Sequence, residues 1–381
     1  MAKKNLKVAF VHNAFIEYRT PFFNKLSSEH DVRFFFEWFD STFAKSKPGF
    51  VFHFLRSFKI SEDYSFSPLL FFYLLNGKYN LFVAGAIGQL NTYVAFFVSR
   101  LLRKPFIFWD ENWYWTCTKW KLLVWPYMLH TINNSKAIVV PGSKSKDFYL
   151  SINPSLKNRI FIAPNVSLLP QNQRIRTKAK EFRRALKLNN KKVVLYCGRL
   201  VKQKGFAYLA RAFEKVQQCN SNAFLLVIGG QHGYGEIYSN DELGEFRKAI
   251  GENNIHFTGW VESSEKAAYF LLADVVVVPS IFFEGGSEVW GFAVNESMSV
   301  GKPVVATKAV GASYDLIING TNGYIVNDKD SEALFRAIKL IIDDPLKQEK
   351  MGIQALRILN NGFTYEHMLL FFKKAIKSSI R

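Results

Sequence analysis

Acidic side chains are scarce in this sequence: 31 Asp and Glu stand against 50 Lys and Arg, for a formal net charge of +19. Cysteine is scarcer still. Cys117, Cys197 and Cys219 are an odd number without CxxC spacing, which argues against a disulfide framework or a zinc site and fits a reducing cytosol. No hydrophobic run is convincing as a membrane span. The best candidate, residues 79–99, is interrupted by Asn80, Gly85, Gly88, Gln89, Asn91 and Thr92, and a strand, a Gly turn and a helix explain it better. The opening MAKKNLKVAFVHNAF has too short an apolar stretch for a signal peptide and runs straight into His12, Asn13 and Glu17. Low-complexity tracts and sequence repeats are absent. No RNP, KH, zinc-finger or helix-turn-helix pattern accompanies the positive charge, so nucleic acid is not an expected partner.

What is abundant is basic and aromatic. Residues 1–170 carry 21 Lys/Arg and 10 Asp/Glu, a surplus of +11, and the remainder carries 29 and 21, a surplus of +8. The first half is also rich in rings, as in Phe34-Phe35-Phe36, Trp38-Phe39, Phe50, Phe52, Phe54, Phe58 and Phe71-Phe72-Tyr73. Rings at headgroup depth with Lys and Arg against lipid charge suit an anionic membrane surface. Core packing beneath a solvated basic surface is the alternative.

At 381 residues two domains are expected, and a hydrophobic fraction of 49% can build two cores. Short apolar runs alternate with amphipathic stretches, which implies parallel sheets with helices on both faces. Strands are expected at 7–11, 32–36, 81–84, 106–109, 137–140 and 159–163, then at 192–197, 224–228, 255–257, 275–278, 303–306 and 323–326. Residues 164–180, with Pro164 and Pro170 and then a basic stretch, read as the interdomain linker. In such folds ligands bind at the carboxyl ends of strands. Gly198, Gly229, Pro279 and Thr307 each follow an expected strand. The final stretch, residues 363–376, has a capping Thr364 and helical apolar spacing.

The most informative segment is PSIFFEGGSEVWGFAVNESMSVGKPVVAT, residues 279–307. Glu288 and Glu296 are separated by seven residues, with Trp290-Gly291-Phe292-Ala293 between them. Gly291 would open a helix carrying Glu296. The first N–H groups of a helix lack internal partners and sit at the positive end of its dipole, so Gly291, Phe292 and Ala293 form a seat for a diphosphate. The carboxylates cannot hold phosphate but suit hydroxyls. Phosphates between two hydroxyl-bearing groups describe a sugar nucleotide. Glu284 competes with Glu288, and only the spacing to Glu296 decides between them. Arg199 and Lys204 lie five positions apart on a strand-to-helix turn, where the dipole disfavours them. A guanidinium fork and a point ammonium there can bind two phosphate groups.

The segment resembles the E-x7-E signature of the GT-B glycosyltransferases of family 4, the retaining group 1 transferases. Cys197-Gly198-Arg199-Leu200-Val201-Lys202-Gln203-Lys204-Gly205 is similar to their phosphate-clamping turn. Val227-Ile228-Gly229-Gly230, Phe257-Thr258-Gly259-Trp260-Val261, Ala273-Asp274-Val275 and Asn319-Gly320-Thr321-Asn322-Gly323-Tyr324 fall in the family's order. The resemblance is strong over residues 190–330. It implies an α/β GT-B protein, two doubly wound Rossmann-like domains facing each other across a cleft. The acceptor side would be residues 1–167 with the returning helix 364–381, and the donor side residues 168–363. It further implies that Glu296 grips the ribose, that Glu288 faces the sugar in an electrostatic role, and that Gly229, Trp260 and Val261 lie near the base. Tyr18-Arg19-x-Pro21-Phe22 resembles some members and places Tyr18 and Arg19 on the acceptor side.

The first half departs from the family. A Gly-rich turn after the first strand is missing, and His12, near that strand's end, reads as structural. The usual sugar-contacting His after the fourth strand is replaced by Asp110-Glu111, either of which can bind a sugar hydroxyl or cap the loop. Trp113, Tyr114, Trp115, Trp120 and Trp125 could stack on sugars, enter lipid or pack in the core. The combined expectation is a retaining transferase of a hexose-type sugar, from a UDP- or GDP-linked donor to a glycan or lipid-linked acceptor. Neither cofactor nor metal is expected, since no DxD-like motif follows a strand. The protein is expected to be cytoplasmic and peripheral on the inner face of the membrane. A GT-B nucleotide-sugar epimerase and a non-catalytic basic membrane- or nucleic-acid-binding protein are the alternatives.

Overall fold

The structure is a computed structural model that describes residues 6–39, 48–59, 65–86, 89–114, 119–231, 235–283 and 286–380. It divides into two compact units, Met1–Val166 with Thr364–Arg381, and Ser167–Phe363.

The first unit runs β1 (Lys7–Phe15), α1 (Thr20–Glu29), β2 (Asp31–Phe39), β3 (Val51–Phe54), β4 (Phe58–Lys59), β5 (Ser65–Phe66), α2 (Pro68–Asn76), β6 (Leu81–Gly85), α3 (Leu90–Leu101), β7 (Phe106–Trp109), α4 (Lys119–Asn134), β8 (Ala137–Val140), α5 (Ser143–Ile152) and β9 (Ile160–Ile162). Seven strands form one parallel sheet in the order β3-β2-β1-β6-β7-β8-β9, while β4 and β5 pair separately. Its inner strands are buried on both faces, as Leu81–Gly85 and Ala137–Val140 are throughout, which is why they read as unbroken apolar runs.

The second unit runs α6 (Gln173–Ala185), β10 (Lys192–Cys197), α7 (Phe206–Cys219), β11 (Ala223–Ile228), α8 (Asn240–Ile250), β12 (Ile255–Phe257), α9 (Ser263–Leu272), β13 (Val275–Val278), α10 (Phe292–Ser299), β14 (Val304–Thr307), α11 (Ser313–Leu316), β15 (Gly323–Val326), α12 (Ser331–Ile342) and α13 (Pro345–Gly362). Its parallel sheet is ordered β12-β11-β10-β13-β14-β15. The last helix, α14 (Tyr365–Ser379), is part of the first unit: Phe372 meets Phe10, Phe22 and Trp109 with ring centroids 6.0, 5.3 and 5.9 Å away. Its N-cap is Thr364, whose side chain accepts from His367 N.

Three local readings are corrected by the structure. The strand expected to end at Val11 continues to Phe15, because Ala14 and Phe15 still pair with Trp38 and Phe39. The strand expected from Pro303 starts at Val304 and includes Thr307; Pro303 has no N–H to give to a ladder. The basic stretch taken for linker is largely α6, capped by the Asn172 side chain and buried through Ile175 and Ala179. The aromatic surplus divides. Phe34, Phe35, Phe36 and Phe50 are core, whereas Trp38, Phe39, Phe58 and Phe72 are exposed. Among the described residues no helix is long and apolar enough to cross a membrane.

Candidate active site

In each sheet the strand order reverses once, between β1 and β6 in the first unit and between β10 and β13 in the second. Such a switch point opens a crevice at the carboxyl ends of the strands. In the second unit it holds a cavity of about 230 Å³ lined by the turn after β10, the end of β13 and the start of α10. Arg199, Lys204, Glu288, Gly291, Phe292, Ala293 and Glu296 all border it. Gly291 is the N-cap of α10 at φ +91°, a conformation that disfavours side chains, and an added Cβ would lie 2.6 Å from Val310 Cγ1. Gly205, at φ +70°, lets the turn carrying Lys204 press on β13, since a Cβ there would stand 1.9 Å from Pro279 O.

Both carboxylates of the E-x7-E segment are engaged by lysines. Lys204 Nζ donates to Glu288 Oε2. Glu296, buried in α10, accepts from Ser167 Oγ at 2.9 Å and from Lys266 Nζ, which is 2.7 and 2.6 Å from its two oxygens. Lys266, on α9, borders the same cavity and was not singled out from the sequence. Thirty residues separate it from Glu296, and nothing in its spacing marks it as more than a helix-surface lysine. Burial opposes its charge, but Glu296 and then Cys197 hold its pKa above the ordinary lysine value. Burial pushes the Cys197 thiol up to about 11, so this wall of the cavity is neutral and not a thiolate nucleophile.

Lys204 carries opposed influences. Burial first, and Arg199 second, pull its ammonium down to about 7, whereas the Glu288 carboxylate beside it favours the charged form. An anionic ligand would restore the proton, so binding above neutral pH should take up one. Between pH 7.5 and 9.5 the nucleoside diphosphate Kd is expected to rise by up to about tenfold per pH unit. Lys204→Arg should flatten that slope. Isothermal titration in buffers of different ionisation enthalpy measures the proton count, and a slope unchanged in Lys204→Arg would assign the linkage to another group.

Gly229, Trp260 and Val261 stand apart from the lining of this cavity. Gly229 N donates to Gly259 O at 2.9 Å, lacing the β11 and β12 loops together, and Trp260 is exposed beside them. Glu284 lies outside the described residues, as do Trp115 and Cys117.

The other sequence candidates gather in the first unit. Arg19, 5% exposed, donates to His12 Nε2 at 2.5 Å and to Glu111 Oε1 at 2.5 Å, with its guanidinium over the Trp109 ring. Burial and then Arg19 hold the His12 pKa well below the usual imidazole value. His12 is therefore neutral, with Nε2 against the Arg19 guanidinium and Nδ1 3.2 Å from both the N and the O of Ala14. Arg19 thus bridges His12 and Glu111. Tyr18 contributes its carbonyl to Tyr365 Oη at 2.8 Å. Asp110 is 1% exposed and accepts from Tyr149 Oη at 2.6 Å and from the backbone and side chain of Asn112 at 3.1 Å. Those donors tie the loop after β7, so of the two acidic residues Asp110 takes the capping role. Glu111, partly exposed, is the carboxylate with remaining access. Among the described residues no group of three or more His, Cys, Asp or Glu could hold a metal ion.

Two doubly wound parallel units in one chain define the GT-B class, and solved structures of that class align along nearly the whole chain. HepE of Anabaena, in complex with UDP, gives a TM-score of 0.78 at 17% identity over 98% of this chain and 100% of that one. WaaG, a glycosyltransferase involved in lipopolysaccharide biosynthesis, gives 0.65 at 14% over 98% and 99%. At these identities the likeness shows the fold. Residues 177–357, most of the second unit, match the family model described as glycosyl transferases group 1. The lipopolysaccharide 1,2-N-acetylglucosaminetransferase of Salmonella typhimurium is 25% identical over 252 residues, 65% of this chain and 63% of that protein. A glycosyltransferase of Methanocaldococcus jannaschii is 30% identical over 165 residues, 43% and 39%. The chain thus spans 39% to 63% of the length of these curated relatives.

Proposed function

We propose that the protein is a retaining, metal-independent glycosyltransferase of the family 4 type. It moves a hexose-type sugar from a UDP- or GDP-linked donor to a glycan or lipid-linked acceptor, and works as a peripheral protein on the inner, cytoplasmic face of a membrane. The observation that carries this reading is the cavity of the second unit, where Arg199, Lys204, Lys266, two carboxylates and a helix start meet at the strand switch point. Cations and a helix start favour a diphosphate, and carboxylates favour sugar and ribose hydroxyls. HepE, a structural neighbour, has been solved with UDP-glucose, and the Salmonella relative is named as an N-acetylglucosaminetransferase, which supports a nucleotide-sugar donor.

In the ligand-free state Lys204 is spent on Glu288. Diphosphate draws Lys204 Nζ, protonated on binding, away from that pair, and its arrival releases the Glu288 carboxylate toward the hydroxyls of the sugar. Arg199 and Lys204 then neutralise the departing nucleoside diphosphate, whose phosphate helps deprotonate the acceptor hydroxyl on the same face. Glu288 positions and stabilises and does not form a bond to the sugar.

The full chain, incubated with UDP- and GDP-sugars, should release nucleoside diphosphate in an acceptor-dependent manner. NMR of the product should show the donor's anomeric configuration retained. An inverted anomer would overturn the retaining assignment. Turnover that requires a divalent cation would overturn metal independence, and an epimerised nucleotide sugar without transfer would replace the reading altogether.

A further inference from the structure

The outer face of the first unit built from α2, α3 and α4 is apolar where a water-facing surface should be polar. The sequence of α2, PLLFFYLLN, is without charge and apolar on every side, a pattern that belongs to a fully covered helix. Yet only Leu70 and Leu74 are buried, while Leu69, Phe72 and Tyr73 are 49%, 57% and 47% exposed. On α3 Phe97 and Leu101 are exposed, and on α4 Leu122 and Tyr127. Phe71 and Phe97 come within 6.4 Å between ring centroids and join α2 to α3. Beneath them lies a cavity of about 430 Å³ whose lining, including Phe66, Tyr93, Val94 and Val124, is almost wholly hydrocarbon or ring. A contiguous patch of this kind marks a contact surface.

Charge says what kind of contact. Over residues 64–146 the sequence has nine Lys or Arg and only Asp110 and Glu111 as acids. Both acids are engaged within the fold: Asp110 is bonded to Tyr149, and Glu111, still partly exposed, is paired with Arg19. At the C-terminal end of α3, about one helical turn beyond Phe97, a second cavity of about 570 Å³ is bordered by Arg100, Arg103, Lys104 and Lys136, with no acidic side chain among the described residues of its lining. One helix therefore carries an apolar hollow along its length and an acid-free basic hollow at its end.

We propose that the α2–α3–α4 face docks on an anionic lipid bilayer, with the apolar hollow receiving an acyl chain and the basic hollow at the end of α3 receiving lipid phosphate. The proposal rests on the peripheral membrane binding proposed above and assigns it to one surface. Phe72 and Phe97 enter the acyl boundary, Tyr127 stays at headgroup depth, and Arg100 and Arg103 meet the phosphates.

The test is co-sedimentation of the full chain with vesicles of phosphatidylcholine alone or mixed with phosphatidylglycerol, at low and high salt. Wild type is compared with Phe72→Ser/Phe97→Ser and with Arg100→Gln/Arg103→Gln. The altered side chains are exposed, and unchanged melting temperatures check that the variants fold. Wild type should bind the anionic vesicles at least tenfold more tightly than the neutral ones and lose that advantage at high salt. The Phe pair should lose binding to both, and the Arg pair should lose only the anionic preference. Wild-type binding that survives in both variants would overturn the surface while leaving the membrane reading in place. No wild-type binding to either vesicle would overturn both. A wild-type dimer in light scattering that dissolves in the Phe variant without any vesicle binding would assign the face to a second copy of the chain and overturn the lipid proposal.

Discussion

Arg199→Ala and Lys204→Ala should each weaken nucleoside diphosphate binding by about 10- to 150-fold, the effect of losing a charge-assisted pair of about 1.5–3 kcal/mol. The fold should survive both. Arg199 borders the cavity through the turn after β10, where Tyr196 Oη donates to its carbonyl at 2.7 Å, and that backbone contact persists when the side chain is removed. Lys204→Ala has a second consequence, because it removes the Lys204 Nζ donor that Glu288 has in the empty site. The Glu288 carboxylate then faces the diphosphate unneutralised, so Lys204→Ala should be the more damaging of the two. Lys204→Ala/Glu288→Ala should recover part of the lost nucleotide affinity without recovering transfer. Isothermal titration with UDP and GDP reads all of these, and affinities unchanged in both single variants would remove the two cations from the site.

Glu296→Ala is expected to act on stability as well as on ligand. Removing one partner of a buried ion pair leaves the other charge uncompensated, at a cost of about 3–5 kcal/mol. Lys266 keeps 27% of its side chain exposed, which places the effect near the low end of that range. For a unit the size of Ser167–Phe363, which holds both residues, a loss of about 3 kcal/mol lowers Tm by roughly 6–12 °C. Glu296→Ala/Lys266→Met removes both charges and should restore most of the Tm, but not affinity for uridine or guanosine, since the ribose hydroxyls still lack their acceptor. Glu288→Ala should show the opposite pattern, with nucleotide affinity spared and transfer impaired. If Glu296→Ala melts with wild type, the Lys266 pair is a solvent-screened contact, and Glu296 has no structural role beside the ribose binding proposed for it.

The parts of this protein legible in its sequence are those where local chemistry and final environment agree. Val275–Val278 is four valines because the central strand is covered on both faces, and no other element suits that run. The turn after β10 and the segment from Glu288 to Glu296 come to one cavity because strand order forces the carboxyl ends of β10 and β13 to be neighbours. What was illegible depends on partners distant in sequence. Lys266 is an ordinary helix lysine until α9 and α10 are brought together. Asp110 reads equally as a sugar ligand or a loop cap until Tyr149, 39 residues on, is seen to donate to it. Likewise the burial of Arg19 between His12 and Glu111 cannot be read until β1 and β7 are brought together. The carboxyl end of β1 could not be read because pairing with β2, and not composition, decides where a strand stops.

The central claim is that the second unit's cavity seats the diphosphate of a nucleotide sugar between Arg199, Lys204 and the start of α10. The most direct measurement is isothermal titration of the full wild-type chain with UDP, GDP and ADP in parallel, followed by titration of the preferred nucleotide into Arg199→Ala. The account requires one site per chain for at least one of the three diphosphates, weaker binding of the matching nucleoside, and a loss of at least tenfold in the variant. Absence of binding by all three nucleotides to folded protein, or binding that the variant leaves untouched, would contradict it.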